Sequence, residues 1–291
     1  MMTNVETIVL DGKGLAQRIK QQLRNDVTLF QERVGRAPQL VVVLVGQYGP
    51  SQIYVRNKIR AAHELGITGR VLQLSEQVSE HEFTETLVGL NQDPTVDAVL
   101  VQLPLPSHLP SELVFKYLSP EKDADGLSYY NLGLLLAKNH LVAPCTPAGI
   151  IELLRSYQVT LTGKKVVVVG RSLIVGKPLS VMLTHEDATV TLAHSKTKNL
   201  KELCRDSDIC IFAAHQKQYF NRDFIRQNGI VIDVGIHQET NGKVVGDVDF
   251  ASMMGWASMV TPVPGGVGPL TVAMLLRNTV ILASKRNYVR N

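Results

Sequence analysis

Tyr54 and Lys58 stand four residues apart in Ser51-Gln-Ile-Tyr-Val-Arg-Asn-Lys58. On a helix, positions i and i+4 share a face, so a phenol and an amine would project together. An ammonium with a pKa of about 10 cannot act as a base near neutrality, but burial brings it down. The pair is therefore a candidate proton-handling site, provided that the fold withdraws Lys58 from water.

The preceding residues supply that position. Leu40–Val45 is an unbroken apolar run, as in parallel strands covered on both faces. Gly46 to Pro50 break the run, and Ser51 reads as the N-cap of the helix that carries the pair. Tyr54 and Lys58 would then lie at the carboxyl end of a strand, where open α/β sheets bind their ligands.

A second cluster could hold a dinucleotide. The strand Lys165–Val169 runs into Gly170-Arg-Ser-Leu-Ile-Val-Gly176, a turn in which glycine lets the backbone approach a pyrophosphate at a helix amino terminus. The spacing is not Gly-x-Gly-x-x-Gly, so the turn alone also fits an ordinary strand-to-helix connection. About twenty residues on, where an NAD enzyme carries a carboxylate for the ribose, the chain reads Ala193-His-Ser-Lys196. Arg171, His194, Ser195 and Lys196 can donate to a 2′-phosphate, which predicts NADP as the cofactor.

These clusters need elements to carry them. Helices are expected over 14–34, 51–65, 79–91, near 111–118, over 150–157, out of the turn 170–178 to about 184, and over 270–284. Strands are expected over 40–45, 69–74, 98–103, 165–169, 189–193, 209–213 and 230–234. Such alternation implies right-handed βαβ units and parallel sheets. With 291 residues there is room for two domains, and Pro144 to Pro147 mark a boundary.

Composition bounds the class. With 45% hydrophobic and 19% charged residues, the chain is a folded one. A net charge of +4 from 30 basic and 26 acidic residues, without a basic block, argues against nucleic acid. Cys145, Cys204 and Cys210 have no metal-ligand spacing and are expected reduced and buried. The first residues lack a secretory pattern, and no apolar run approaches the roughly eighteen residues of a membrane span. A cytosolic, membrane-free protein is the expectation.

Five segments together resemble the bifunctional methylenetetrahydrofolate dehydrogenase/cyclohydrolase family: Ser51–Lys58, Val101-Gln-Leu-Pro-Leu-Pro106, Lys122-Asp-Ala-Asp-Gly126, Gly170-Arg-Ser172 and Thr261-Pro-Val-Pro-Gly-Gly-Val-Gly-Pro269. The resemblance implies an α/β substrate domain over 1–147, completed by 270–291, and a Rossmann NADP domain over 148–269, joined across a cleft. It implies a homodimer and tetrahydrofolate derivatives as substrates; the histidines have no metal-ligand spacing, so no metal is expected. The implied reaction is oxidation of 5,10-methylenetetrahydrofolate with NADP, followed by hydrolysis of the methenyl product to 10-formyltetrahydrofolate.

It also implies roles. Lys58 would handle protons, Tyr54 would offer a ring face and a hydroxyl, and Gln102 would hold the lysine without a charge that keeps it protonated. Asp125 would accept hydrogen bonds from the pterin. Val101 and Leu103 would line the substrate site, and the backbone of Pro264, Gly265, Gly266, Val267 and Gly268 would approach the substrate. Gly170, Arg171, Ser172, Ser195 and Ile236 would bind the cofactor.

Three positions depart from the family pattern. Ala213-Ala-His-Gln-Lys-Gln218 replaces the usual Ala-x-Gly-x-Pro, Leu173 replaces a commoner Asn, and Ser128-Tyr129 replaces a usual His-Pro. None of the departures falls in the substrate-side motifs, and the first lies in the cofactor-side loop, so the hydrolase activity is expected intact and the dehydrogenase efficiency reduced. Tyr-x-x-x-Lys also resembles the pair of short-chain dehydrogenases, but there the nucleotide loop comes first. A chain of this length also leaves no room for a fused formate-activating synthetase domain.

Overall fold

Seven residues, Gln39–Val45, the last six of them apolar, form the central strand of a three-stranded parallel sheet with 68–74 on one side and 98–101 on the other. The computed structural model describes residues 6–47, 49–240 and 242–288, apart from the side chains of Pro50 and Tyr288. The amino-terminal residues read for targeting, and the last three assigned to the first domain, lie outside the described residues.

In chain order the elements are β1 (Ile8–Val9), α1 (Gly12–Val34), β2 (Gln39–Val45), α2 (Gly49–Glu64), β3 (Thr68–Leu74), α3 (Glu80–Gln92), β4 (Ala98–Val101), α4 (Glu112–Tyr117), α5 (Tyr129–Leu136), α6 (Cys145–Ser156), β5 (Lys165–Val169), α7 (Gly176–His185), β6 (Thr189–Ala193), α8 (Leu200–Arg205), β7 (Ile209–Phe212), β8 (Ile230–Asp233), β9 (His237–Gln238), β10 (Val244–Val245), α9 (Phe250–Met253), β11 (Met259–Val260) and α10 (Val267–Tyr288). The α/β alternation and parallel pairing expected from the sequence are present.

Contacts divide the chain into two compact units. The first comprises residues 18–145 and those from 272 onward, around the sheet β3-β2-β4. The second comprises residues 146–271 and those up to 17, around the six-stranded sheet β1-β11-β8-β7-β5-β6, every pairing of which is parallel. Residues 6–17, expected with the first domain, fall in the second unit because Ile8 and Val9 pair with Met259 and Val260.

Several boundaries move for local reasons. Strand β4 stops at Val101 rather than Leu103, since Pro104 brings no N–H to a ladder. Helix α2 begins at Gly49, so Ser51 lies buried inside its first turn and is not its N-cap. Ser79 is the N-cap of α3, in a capping box with Glu82. Ser128, one of the departures, caps α5 by accepting from Asn131 N. All three cysteines are free and buried, as expected.

The last helix packs back on the first unit. Asn278 Nδ2 donates to Ala124 O and to Ala143 O, each at 2.9 Å, and Arg286 donates to Val96 O. By length and composition α10 could cross a membrane, but 61% of its apolar window is buried, as in a core helix.

Asp97, fully buried just before β4, gathers this region. It accepts from Arg36 at 2.6 and 2.8 Å, from Gln39 N at 2.8 Å and from Asn287 Nδ2 at 3.2 Å. Replacing Asp97 with Ala would leave these donors without their acceptor. Urea unfolding of D97A should show a loss of about 3 kcal/mol; a loss under 1 kcal/mol would contradict this account.

Candidate active site

The three strands of the first unit end at one edge, and their register sets the site. Gln102 N donates to Val43 O at 2.9 Å, extending the β2–β4 pairing one residue past the strand. The side chain of Gln102 is thereby aimed from the carboxyl end of β4. Helix α2, which follows β2 across a short turn, presents Lys58, and its Nζ donates to Gln102 Oε1 at 2.8 Å. Gln102 Nε2 donates to Leu103 O at 2.6 Å, which fixes the amide so that its oxygen faces the lysine.

A third segment runs alongside. Val99 N bonds Lys122 O at 2.7 Å and Ala124 N bonds Val99 O at 3.1 Å, so Lys122–Ala124 forms a short extra rung on β4 and delivers Asp125 to the same edge. Lys122, itself buried, is held by Leu90 O and Asp93 O at the end of α3. Asp123 is buried and accepts from Ser128 N at 2.6 Å and Asn131 Nδ2 at 2.9 Å; burial, chiefly, pushes its pKa up. The two carboxylates of this motif thus differ. Asp123 is tied into the start of α5, while half-buried Asp125 lines a small pocket with Val99, Val101, Leu103 and Leu127.

The electrostatics at Lys58 follow. Burial is the largest influence and lowers its pKa, while the negative charge of Asp125 and, less strongly, Cys145 act in the opposite direction. Gln102, being neutral, binds the ammonium without adding to that opposition. Cys145 was not among the expected site residues: its thiol donates to Ala124 O at 3.4 Å, and burial with the adjacent Asp125 pushes its pKa well up. A lone buried cysteine carries no sequence signal beyond its nearness to Pro144 and Pro147. Tyr54, one turn before Lys58, is 41% exposed.

The second unit holds the remaining expected residues. Gly170 has φ +127°, and a Cβ there would come within 2.2 Å of Ala213 O. A Cβ at Gly176 would meet Gly170 O at 1.8 Å, so both glycines are required by close backbone packing. Helix α7 starts at Gly176 with no acidic residue in its first turn and no side-chain cap, which leaves a polarity suited to a phosphate. Val169 pairs with Ala193, so exposed Arg171 and Ser195 follow the carboxyl ends of neighbouring strands. These residues fit a dinucleotide carrying a 2′-phosphate.

Ile236, 44% exposed, follows β8, and a Cβ on Gly268 would lie 3.9 Å from its Cδ1, so Ile236 and the glycine loop 264–268 are neighbours. That loop packs beneath the start of α1: Lys13 N donates to Gly265 O at 2.8 Å, and a Cβ on Gly12 would lie 1.9 Å from Gly266 O. Among the described residues no group of three or more His, Cys, Asp or Glu could hold a metal.

Comparison with known proteins covers nearly the full chain. A family model described as tetrahydrofolate dehydrogenase/cyclohydrolase, catalytic domain, matches residues 10–125, and one described as the NAD(P)-binding domain of the same enzymes matches residues 144–287. The bifunctional protein FolD of Bdellovibrio bacteriovorus is 48% identical over 280 residues, covering 96% of this chain and 97% of that protein. FolD of Streptococcus mutans is 46% identical over 273 residues, 94% of this chain and 96% of that one. Among solved structures, the Campylobacter jejuni bifunctional enzyme FolD superposes with TM-score 0.92 at 41% identity, covering 96% of this chain and 99% of that one. The Trypanosoma brucei enzyme, complexed with NADP cofactor and inhibitor, gives TM-score 0.92 at 38% identity, covering 98% and 99%.

The charge balance at Lys58 is open to measurement. In a heteronuclear NMR titration of the lysine side chains, Lys58 should lose its proton at lower pH than exposed lysines. Asp125→Asn should move that midpoint further down, because the carboxylate holds it up. A Lys58 midpoint at or above those of exposed lysines would contradict this electrostatic picture.

Proposed function

The chain belongs to the tetrahydrofolate dehydrogenase/cyclohydrolase family, and on that premise we propose how its residues divide the work. The protein is an NADP-dependent methylenetetrahydrofolate dehydrogenase and a methenyltetrahydrofolate cyclohydrolase. Its substrates are folates of one-carbon metabolism.

The observation that carries the assignment is the 2.8 Å bond between Lys58 Nζ and the neutral Gln102 Oε1, with burial depressing the pKa of the amine. In the hydrolytic step water adds to the methenyl carbon and loses a proton. The bond from that carbon to N5 then breaks as N5 takes up a proton and the new hydroxyl releases its own to solvent, leaving the formyl group on N10. Lys58 as a free amine accepts the first proton and, as ammonium, returns one to N5. Gln102 holds Nζ in place in both states, since it accepts from either. A cationic substrate further favours the neutral amine.

Tyr54 supplies a ring face to the pterin system and its hydroxyl to the proton network. Asp125 accepts from the pterin's amino group and ring N–H, while Val101 and Leu103 line the same pocket. Pro264, Gly265, Gly266, Val267 and Gly268 offer backbone to the substrate where side chains would obstruct it. Gly170, Arg171, Ser172, Ser195 and Ile236 bind NADP, with Arg171 and Ser195 on the 2′-phosphate and the Ile236 backbone at the nicotinamide. When bound, NADP supplies the hydride acceptor. The assembly is a homodimer and the compartment the cytosol.

Replacing Lys58 with Met should slow loss of the methenyl chromophore by roughly 10²–10⁴-fold while NADPH formation from methylenetetrahydrofolate persists. Hydrolysis within tenfold of the parent enzyme would remove Lys58 from the role.

A further inference from the structure

The loop that departs from the family pattern, Ala213–Gln218, has neither glycine nor proline, yet its backbone is left-handed at His215 (φ +55°) and Gln218 (φ +47°). Each such residue costs roughly 1–2 kcal/mol, so the surroundings must hold the conformation. Buried Asp247 does this. Its Oδ2 accepts from Ala214 N at 2.7 Å and His215 N at 3.1 Å, and its Oδ1 from Gln216 N at 2.9 Å and His237 Nε2 at 2.7 Å. A carboxylate has about four lone-pair positions, and all are taken. Three of the donors are consecutive backbone amides, the arrangement of an anion-binding nest.

The same carboxylate presses on a second cofactor segment. A Cβ on Gly235 would lie 2.4 Å from Asp247 Oδ1. Asp233 ties the two together behind, accepting from Gly235 N and Asp247 N at 2.9 Å each and from Val248 N at 3.0 Å. Asp247 therefore stands between 214–216, which begins where Ala213 closes on Gly170, and the turn that carries Ile236. A Lys217–Glu239 ion pair at 2.6 Å closes the same loop onto the hairpin β9–β10. His237 is the one side-chain donor among Asp247's four, and it directly follows Ile236.

We propose that His237 is a positioning residue for the dinucleotide: its bond to Asp247 fixes the Ile236 turn relative to the 214–216 loop, and so sets the backbone offered to the cofactor. The proposal rests on the reading of Gly170, Arg171 and Ile236 as cofactor-binding. Without His237, the backbone bonds of Asp233 and Asp247 persist, so the sheet stands while the turn loosens.

The test uses the full-length enzyme with His237→Ala, His237→Asn and, as a control on the cofactor reading, Arg171→Ala. Calorimetry should show NADP affinity falling about tenfold in H237A, as expected for one lost hydrogen bond to a charged group. KM for NADP should rise with it, with kcat changing less and cyclohydrolase activity within twofold. H237N, whose amide can donate to the same oxygen, should recover affinity to within threefold. Unchanged NADP affinity in H237A alongside weakened binding in R171A would overturn the proposal and leave the cofactor reading standing; unchanged affinity in both would overturn the reading itself. A matched fall in thermal stability and both activities, without rescue in H237N, would make the role merely structural and overturn it. Should H237A fail to fold, the ring nitrogen resonances of His237 in the parent enzyme serve instead. They should shift on adding NADP, and their indifference would equally overturn the proposal.

Discussion

The contact between Lys58 and Gln102 constrains the rest of the first unit. A 2.8 Å bond between a helix side chain and a strand-end side chain requires α2 to leave the sheet at the edge where β4 ends. That in turn requires β2 and β4 to be parallel neighbours. The apolar run of β2, buried from Leu40 to Val45, makes this possible because both its faces are covered. The choice of a neutral amide as partner is what lets burial act: a carboxylate bonded directly to Nζ would hold the proton on, whereas Gln102 fixes position and leaves the charge to the environment.

Buried carboxylates recur as the means of fixing loops at strand ends. Asp97 collects a guanidinium and an amide ahead of β4, Asp123 ties the motif after β4 to the start of α5, and Asp233 with Asp247 joins the segments after β7 and β8. In each case backbone amides that the ladder cannot satisfy find an acceptor, and a loop needing a fixed shape obtains one. Asp233 shows what this costs: burial, chiefly, raises its pKa to about 6 despite three backbone donors, with the charge of Asp247 adding to the effect.

Much of this was legible in the residues. Long strands and helices announce themselves by periodicity, and Lys165–Val169 and Thr189–Ala193 fall where the pattern places them. The candidate site residues of the first unit stand out in the sequence because they belong to strand ends and to a helix with a definite face. Two-residue strands such as Ile8–Val9 and Met259–Val260 are too short for any pattern, so the membership of residues 6–17 in the second unit was not legible. Cys145 and Asp247 were invisible for a different reason: their importance comes from neighbours distant in the chain. The loop over 213–218 lacks the glycine and proline of the family pattern, and an acceptor distant in the chain, Asp247, holds its backbone instead.

Each unit is assembled from two separated stretches of chain, the second needing residues 6–17 and the first needing α10. During synthesis, therefore, neither can close as its central portion emerges. The first sheet is made early but stays without its last helix until nearly all of the chain is available, and the second begins with an edge strand that waits for β11. Completion of each unit therefore waits for its later stretch, β11 for the second and α10 for the first. A contiguous fragment cut at the apparent domain border would retain an exposed apolar surface, which makes the two activities hard to separate by truncation.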